Sequence, residues 1–186
     1  SLRGFPSLAA PCKMVGFFDA YLLCRNMEMM QWTTAESSLG TILLGGNSDG
    51  LCGLWFEGQK HIPSPLPTWR NDRLEIFEET RMWLDIYFAG QEPDFTPRIV
   101  LNGTSFRNRV WNELLRIPYG ATITYGELAK NVGCLSARAI GNAVGHNPIS
   151  IIVPCHRVVG SGGTLTGYAG GIDRKKALLT MEGVSR

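Results

Sequence analysis

The 186-residue sequence contains no uninterrupted apolar run near the roughly 18 residues a membrane-spanning helix requires. The nearest approach to a signal-peptide core, Val15 to Leu23, is broken by Asp19 and followed by no convincing small-residue cleavage site. The chain therefore reads as soluble and cytoplasmic, without a membrane partner. Histidine is scarce, with only three, and the five cysteines are odd in number and never spaced C-x-x-C. A disulfide-stapled secreted fold is disfavoured by that pattern. A zinc site would have to be assembled from distant residues such as Cys12, Cys24, Cys52 and His61. Buried structural thiols are the expectation there, with no metal and no cofactor. Charged residues make up only 18% and hydrophobic ones 44%, so a largely disordered chain is disfavoured as well.

What charge there is lies unevenly. Residues 1–97 carry 7 Lys/Arg against 12 Asp/Glu, a net of −5, and residues 98–186 carry 11 against 4, a net of +7. Solvated surface charge accounts for such an asymmetry in many proteins. A partner of high negative charge, nucleic acid above all, would be drawn to the C-terminal half.

The chain divides into an arm of uncertain structure over residues 1–28, a small α+β domain with its linker over 29–97, and a mainly helical domain over 98–186. From Gln31 the pattern is of strands, with Asn47-Ser48-Asp49-Gly50 as a hairpin turn. The segment HIPSPLPTW is too rich in proline for a helix or a central strand. A helix capped by Asn71 or Asp72 follows to about Ala89, with Leu74, Phe77, Arg81, Leu84 and Phe88 along one stripe. Gln91 to Asn102, holding Pro93 and Pro97, reads as the linker.

Three short helices are expected next. Thr104 or Ser105 caps the first. Thr124 and Glu127 have capping-box spacing at the start of the second, which Gly133 closes, and Ser136 caps the third. The last two, across a tight turn, resemble a helix-turn-helix. The third helix is thin: Ala137, Ala139, Gly141, Ala143 and Gly145 leave Arg138 as its one long cation. Glycine inside a helix costs about 1 kcal/mol relative to alanine. Close packing on a neighbouring helix, close approach to DNA, and simple fraying all remain open as reasons for it.

The chemistry concentrates at Ile149 to Val153, a β-branched run read as a buried strand, and the Pro154-Cys155-His156-Arg157-Val158 that follows. Cysteine is a strong nucleophile whose thiolate fraction rises beside a base or a cation, and His156 and Arg157 supply both types. The alternative is a buried structural cysteine with a surface His-Arg pair.

PCHRV, preceded by Asn147-Pro148 and followed by Gly167-Tyr168-Ala169-Gly170-Gly171, Leu178-Leu179 and Glu182-Gly183, resembles the active-site region of the O6-alkylguanine-DNA alkyltransferases (methylated-DNA-protein-cysteine methyltransferases). The bacterial stand-alone form is the nearer match. The likeness runs from about Thr104 to Gly183, more weakly from Gln31 to Gly90. It implies a ribonuclease H-like N-terminal sheet domain and a winged-helix/helix-turn-helix C-terminal domain. It implies a monomer that acts once, moving an alkyl group from guanine O6 in double-stranded DNA to Cys155. By resemblance His156 is the base, working through a water, with Glu182 orienting it and Asn147 in the same network. On an extended strand adjacent side chains point apart, which favours that water bridge.

The resemblance also assigns Tyr125 as hydrogen-bond donor to the leaving guanine, and Val158, Tyr168 and Ala169 to the base pocket. The glycines Gly160, Gly162, Gly163 and Gly167 are expected to let backbone approach the base. Ser136, Ala137 and Arg138 fall to DNA binding in the minor groove, with Arg138 entering the stack vacated by the flipped base. Val144 and Ala169 depart from the Met and Ser of the animal enzymes, and the animal zinc site has no counterpart. A non-catalytic lesion sensor and a plain winged-helix regulator are the alternatives. The first has relatives lacking the motif cysteine, and the second has no use for PCHRV.

Overall fold

The computed structural model describes residues 30–63 and 73–184. The expected arm over 1–28, Cys12, Cys24, Asn71, Asp72 and most of the proline-rich loop lie outside these residues. Strands β1 (Gln31–Ala35), β2 (Ile42–Asn47) and β3 (Gly50–Phe56) form an antiparallel meander in the order β1-β2-β3. The expected turn closes β2 on β3: Asn47 pairs with Gly50, and the Asn47 side chain accepts a hydrogen bond from the Asp49 amide at 2.9 Å.

Helix α1 (Glu75–Phe88) packs on β2 and β3. Its N-cap is Leu74, in an extended conformation and without a side-chain capping bond, so the expected cap one turn earlier is corrected. The buried face is also rotated from the expected stripe. It comprises Ile76, Phe77, Thr80, Trp83, Leu84 and Tyr87. Arg81 instead reaches from the helix to Thr33 Oγ1 at 2.9 Å, tying α1 to β1.

The open edge of β3 is covered twice, which removes an unpaired strand edge open to pairing with another chain. The Leu51 amide bonds to Arg98 O and the Val100 amide to Leu51 O, both at 2.8 Å, so the end of the expected linker lies docked along the sheet. Further along, the Leu54 amide bonds to Pro148 O at 2.9 Å and the Ser150 amide to Leu54 O at 2.8 Å. The sheet thereby holds the segment that leads into Cys155.

The C-terminal half is built from α2 (Ser105–Leu114), β4 (Ile123–Thr124), α3 (Tyr125–Val132), α4 (Ala137–Gly145), β5 (Val158–Val159) and α5 (Ile172–Met181). The caps are those the sequence announces. Thr104 accepts from the Arg107 amide, Thr124 and Glu127 form a complete capping box, Gly133 ends α3 in the left-handed region, and Ser136 accepts from the Ala139 amide. Helices α2, α3 and α4 pack on one another, and Trp111 Nε1 donates to Ala143 O at 2.8 Å. One hydrophobic cluster, from Ile42 and Phe77 through Trp111 and Ile140 to Leu178, runs through both halves.

Ile149 to Val153 is not a strand. Only Ile149 pairs, in an isolated bridge to Leu54, and the chain then turns through Ser150–Ile152. Ile151 has φ 71°, a left-handed conformation that is an outlier for a β-branched residue and costs of order 1–3 kcal/mol. Its side chain is buried, and hydrogen bonds from Ile152 to Ser150 and from Val153 to Ile149 hold the reversal. Cys155–Arg157 then forms a single 3-10 turn.

Candidate active site

Cys155 opens that 3-10 turn, buried, with its Sγ 3.1 Å from Asn147 Nδ2. The same amide group donates to Val153 O at 2.7 Å and Ile149 O at 3.2 Å, while its carbonyl accepts from the Ile149 amide at 3.1 Å. Asn147, just past the C-cap of α4, therefore fixes the strained turn and the thiol together. Burial raises the thiol above its ordinary value, against the opposing pull of the Asn147 hydrogen bond and the Lys175 cation. A cysteine so placed is a thiol near neutrality and needs a base.

His156 is that candidate base, and it is fully buried. Its Nε2 lies 2.7 Å from Glu182 Oε1. Because the carboxylate only accepts, Nε2 carries the proton, leaving Nδ1 a free acceptor with no protein partner. Burial lowers the imidazole below its ordinary value, with Glu182 pulling the other way. The ring is thus held neutral. Adjacency on an extended strand, the basis for expecting the two side chains to diverge, does not apply, since Cys155 and His156 follow each other in a 3-10 turn.

Glu182 is the hub. Oε1 accepts from His156, from the Tyr87 hydroxyl at 2.7 Å and from Arg157 Nη2 at 3.0 Å. Oε2 accepts from Arg157 Nε at 2.8 Å and the Gly120 amide at 3.2 Å. Burial would raise this carboxyl, but the hydrogen bonds and charges of His156 and Arg157 outweigh it and bring it to about 2. Gly120 has φ 71°, and a Cβ there would stand 2.9 Å from Glu182 O, so only glycine presents this amide without strain.

Arg157 is not a surface residue, nor is it the cation of the thiol. It is buried, bound to Glu182 and, through Nη1, to Ile117 O at 2.6 Å. The cation that bears on Cys155 is Lys175, one the sequence reading did not single out. Lys175 is buried and its Nζ donates to Val158 O and Thr166 O, both at 2.6 Å. Burial brings the ammonium down to about 8, with the Cys155 charge opposing.

Those two carbonyls bracket a loop that forms one wall of an open cavity of about 610 Å³. Thr166, Gly167, Tyr168 and Ala169 line that wall. Tyr125, and Ala137, Arg138, Gly141 and Gly145 of α4, line the cavity as well. Tyr125 donates to Gly167 O at 3.0 Å, and burial followed by the Cys155 charge raises its phenol to about 12. The Tyr168 hydroxyl is buried beside Ser150 without a well-formed hydrogen bond, and it too feels the Cys155 charge. Both tyrosines that feel the Cys155 charge thus line the cavity.

The thin face of α4 acquires a reason. A Cβ added at Gly141 or Gly145 would meet nothing within 4 Å, so packing inside the protein does not demand glycine at either position. Packing falls instead to Ile140, Ala143 and Val144 on the other face.

Two models of one family match the chain. One, described as the 6-O-methylguanine DNA methyltransferase ribonuclease-like domain, matches residues 30–101; the other, the DNA-binding domain, matches 105–184. A methylated-DNA–protein-cysteine methyltransferase of Methanosarcina acetivorans is 48% identical over 83% of this chain and 99% of its own length. The chain belongs to the 6-O-methylguanine DNA methyltransferase family. Among solved structures, the O6-methylguanine methyltransferase of Mycobacterium tuberculosis is similar at a TM-score of 0.74 and 46% identity, covering 83% of this chain and 93% of that one. The same organism's OGT in complex with DNA gives a TM-score of 0.74 at 45% identity, covering 82% and 92%.

Of the residues expected at the site, Asn147 with Cys155 and His156 with Glu182 form two buried hydrogen-bonded pairs that meet at the adjacent Cys155 and His156, and Tyr125, Ala137, Arg138, Tyr168 and Ala169 line the cavity. Ser136 lies beside it, lining a neighbouring groove with Arg107, Arg138 and Asn142. Val158 does not line the pocket. It is buried, paired with Ile123, and its carbonyl is taken by Lys175. Of the four loop glycines only Gly167 faces the cavity; Gly162 and Gly163 have positive φ in a tight turn, and Thr164 fills the space beside Gly160. His61, considered above as a remote metal ligand, stacks on His146 at 3.9 Å at the cavity rim. Among the described residues no cluster of three or more metal-ligating side chains occurs, and no helix is long and apolar enough to cross a membrane.

Proposed function

We propose that the protein repairs O6-alkylguanine in double-stranded DNA by moving the alkyl group to Cys155, once per molecule, without cofactor or metal. The observation that carries this reading is the Asn147-bound thiol, one residue from a neutral histidine aligned by Glu182, with the Cys155 charge bearing on Tyr125 and Tyr168, two residues that line a pocket together with Arg138. The Cys155 proton passes through a water to His156 Nδ1. The sulfur then attacks the alkyl carbon, the S–C bond forms as the C–O6 bond breaks, and the electron pair stays with guanine. Tyr125, turned from Gly167 O towards the base, gives the departing ring a proton so that guanine leaves neutral, and the proton taken up by His156 replaces it through solvent, so that none is gained or lost overall. Thioether formation has no return step, so turnover ends there.

A guanine inside the duplex cannot reach a buried thiol, so the base must be flipped into the cavity at a cost of a few kcal/mol. Arg138 would fill the gap in the stack. Helices α3 and α4 act as a helix-turn-helix whose second member enters the minor groove, where a bare Gly141–Gly145 face admits the backbone and Ser136 and Ala137 lie against phosphates. We keep the division into a ribonuclease H-like unit over 29–97 and a winged-helix DNA-binding unit over 98–186, supported by the two family models. We also keep the reading of the protein as a cytoplasmic monomer. Replacing Cys155 by alanine separates transfer from mere lesion sensing. Transfer from an O6-methylguanine duplex should vanish while lesion binding persists; surviving transfer would assign the nucleophile elsewhere.

A further inference from the structure

The catalytic network draws on a side chain from the other half of the molecule. Tyr87, on α1, is completely buried; its hydroxyl donates to Glu182 Oε1 at 2.7 Å and lies 3.4 Å from His156 Nε2. Its ring is stacked on Trp83 at 5.2 Å and meets Tyr119 edge-on at 6.1 Å, so the hydroxyl has little freedom to point elsewhere. We propose that Tyr87 is a positioning residue for alkyl transfer, fixing Glu182 Oε1 against His156 and limiting how strongly that carboxylate draws a proton onto the ring. The inference rests on the alkyl-transfer reading of Cys155.

Oε1 serves three donors, Tyr87, His156 and Arg157. Each donor that bonds to a carboxylate oxygen takes up part of its charge and lowers its basicity. The groups facing His156 are Glu182 and Lys175 from α5, Arg157 beside it and Tyr87 from α1. Of these, only Tyr87 is a neutral donor to the oxygen that holds the imidazole. Burial and the Glu182 charge push its phenol far above the ordinary range, so it stays a donor at every working pH. With that donor removed, Oε1 would stabilise a protonated His156 more strongly. The ring would then hold its proton to higher pH, where it cannot act as a base.

The test is the pH dependence of single-turnover transfer from an O6-methylguanine duplex to the full chain, followed between about pH 5 and 9. Tyr87→Phe should lower the plateau several-fold and move the acid limb upward by about one pH unit. Trp83→Phe, which disturbs the stack but none of the hydrogen bonds, should leave the limb in place. Site-specific 3-fluorotyrosine at position 87, a stronger donor of nearly the same shape, should move the limb downward, and it serves if the phenylalanine variant does not fold. A limb that stays put in a folded Tyr87→Phe protein, or that fails to move down with fluorotyrosine, overturns the role of Tyr87 alone. Absence of transfer in the unaltered protein overturns the alkyl-transfer reading itself.

Discussion

Two parts of the molecule serve the proposed reaction in opposite ways. Around Glu182 five donors from α1, the 3-10 turn and the Gly120 turn converge on one buried carboxylate, so both its oxygens are held from several sides. At the cavity, α4 presents Gly141 and Gly145 with empty space above them and Arg138 beside them. The first region is over-determined because proton transfer needs a fixed tautomer and a fixed distance. The second is built by omission, because a duplex must come close. Stability should therefore depend on the first and DNA binding on the second, with little exchange between them.

Glu182→Gln gives the largest effect. It leaves Arg157 as a buried cation without its anion, a change that typically costs 3–5 kcal/mol, so an unfolding midpoint should fall steeply. It also lets His156 turn, and transfer should drop by about 10²-fold or more. Arg138→Ala should leave the unfolding midpoint alone and slow reaction with the duplex far more than reaction with free O6-alkylguanine, which needs no flipping. Equal losses on both substrates would remove the stacking role of Arg138. The smallest effect on stability belongs to Gly141→Ala, within about 1 kcal/mol, since helix propensity improves and a Cβ there meets nothing within 4 Å. Its affinity for duplex DNA should nevertheless fall; unchanged affinity would mean that the thin face of α4 is not the docking surface.

Acid should weaken the buried region, and also the exposed capping box of α3, where the Thr124 bonds hold the Glu127 carboxyl below its ordinary value. The folded-state value of Glu182 lies below its ordinary one, so its contribution to stability is present above the usual carboxylate range and is lost as pH falls towards about 2. His156, lowered by burial, works the same way: unfolding frees it to take a proton, so its contribution fades as pH falls below the ordinary imidazole value.

The contrast also explains what could be read from the sequence. Thr104, Thr124 with Glu127, Gly133 and Ser136 are local signals whose partners lie three residues away, and each helix they cap begins or ends where they place it. Cys155, His156, Asn147 and Glu182 were reached through a motif with its flanks, and the structure brings them together. The hub's other members were not. Tyr87 looks like one more aromatic on an amphipathic helix, and a stripe drawn through Arg81 and Phe88 passes beside it. Lys175 sits in a run of charges, Asp173-Arg174-Lys175-Lys176, that reads as a solvated surface. Arg157 could be taken for either a surface cation or a partner of the thiol, because its true partner is 25 residues away. The Ile149–Val153 run misleads for a local reason: its composition is that of a strand, but Ile151 is held at positive φ by surrounding packing that no pattern records.

If this geometry makes Cys155 accept an alkyl group irreversibly, intact and peptide mass after incubation with an excess of duplex DNA carrying a single O6-methylguanine will show it. The Cys155 peptide should gain the mass of one methylene, saturating at one per protein. An unchanged Cys155 peptide with the lesion duplex still bound would contradict it and leave the protein a sensor.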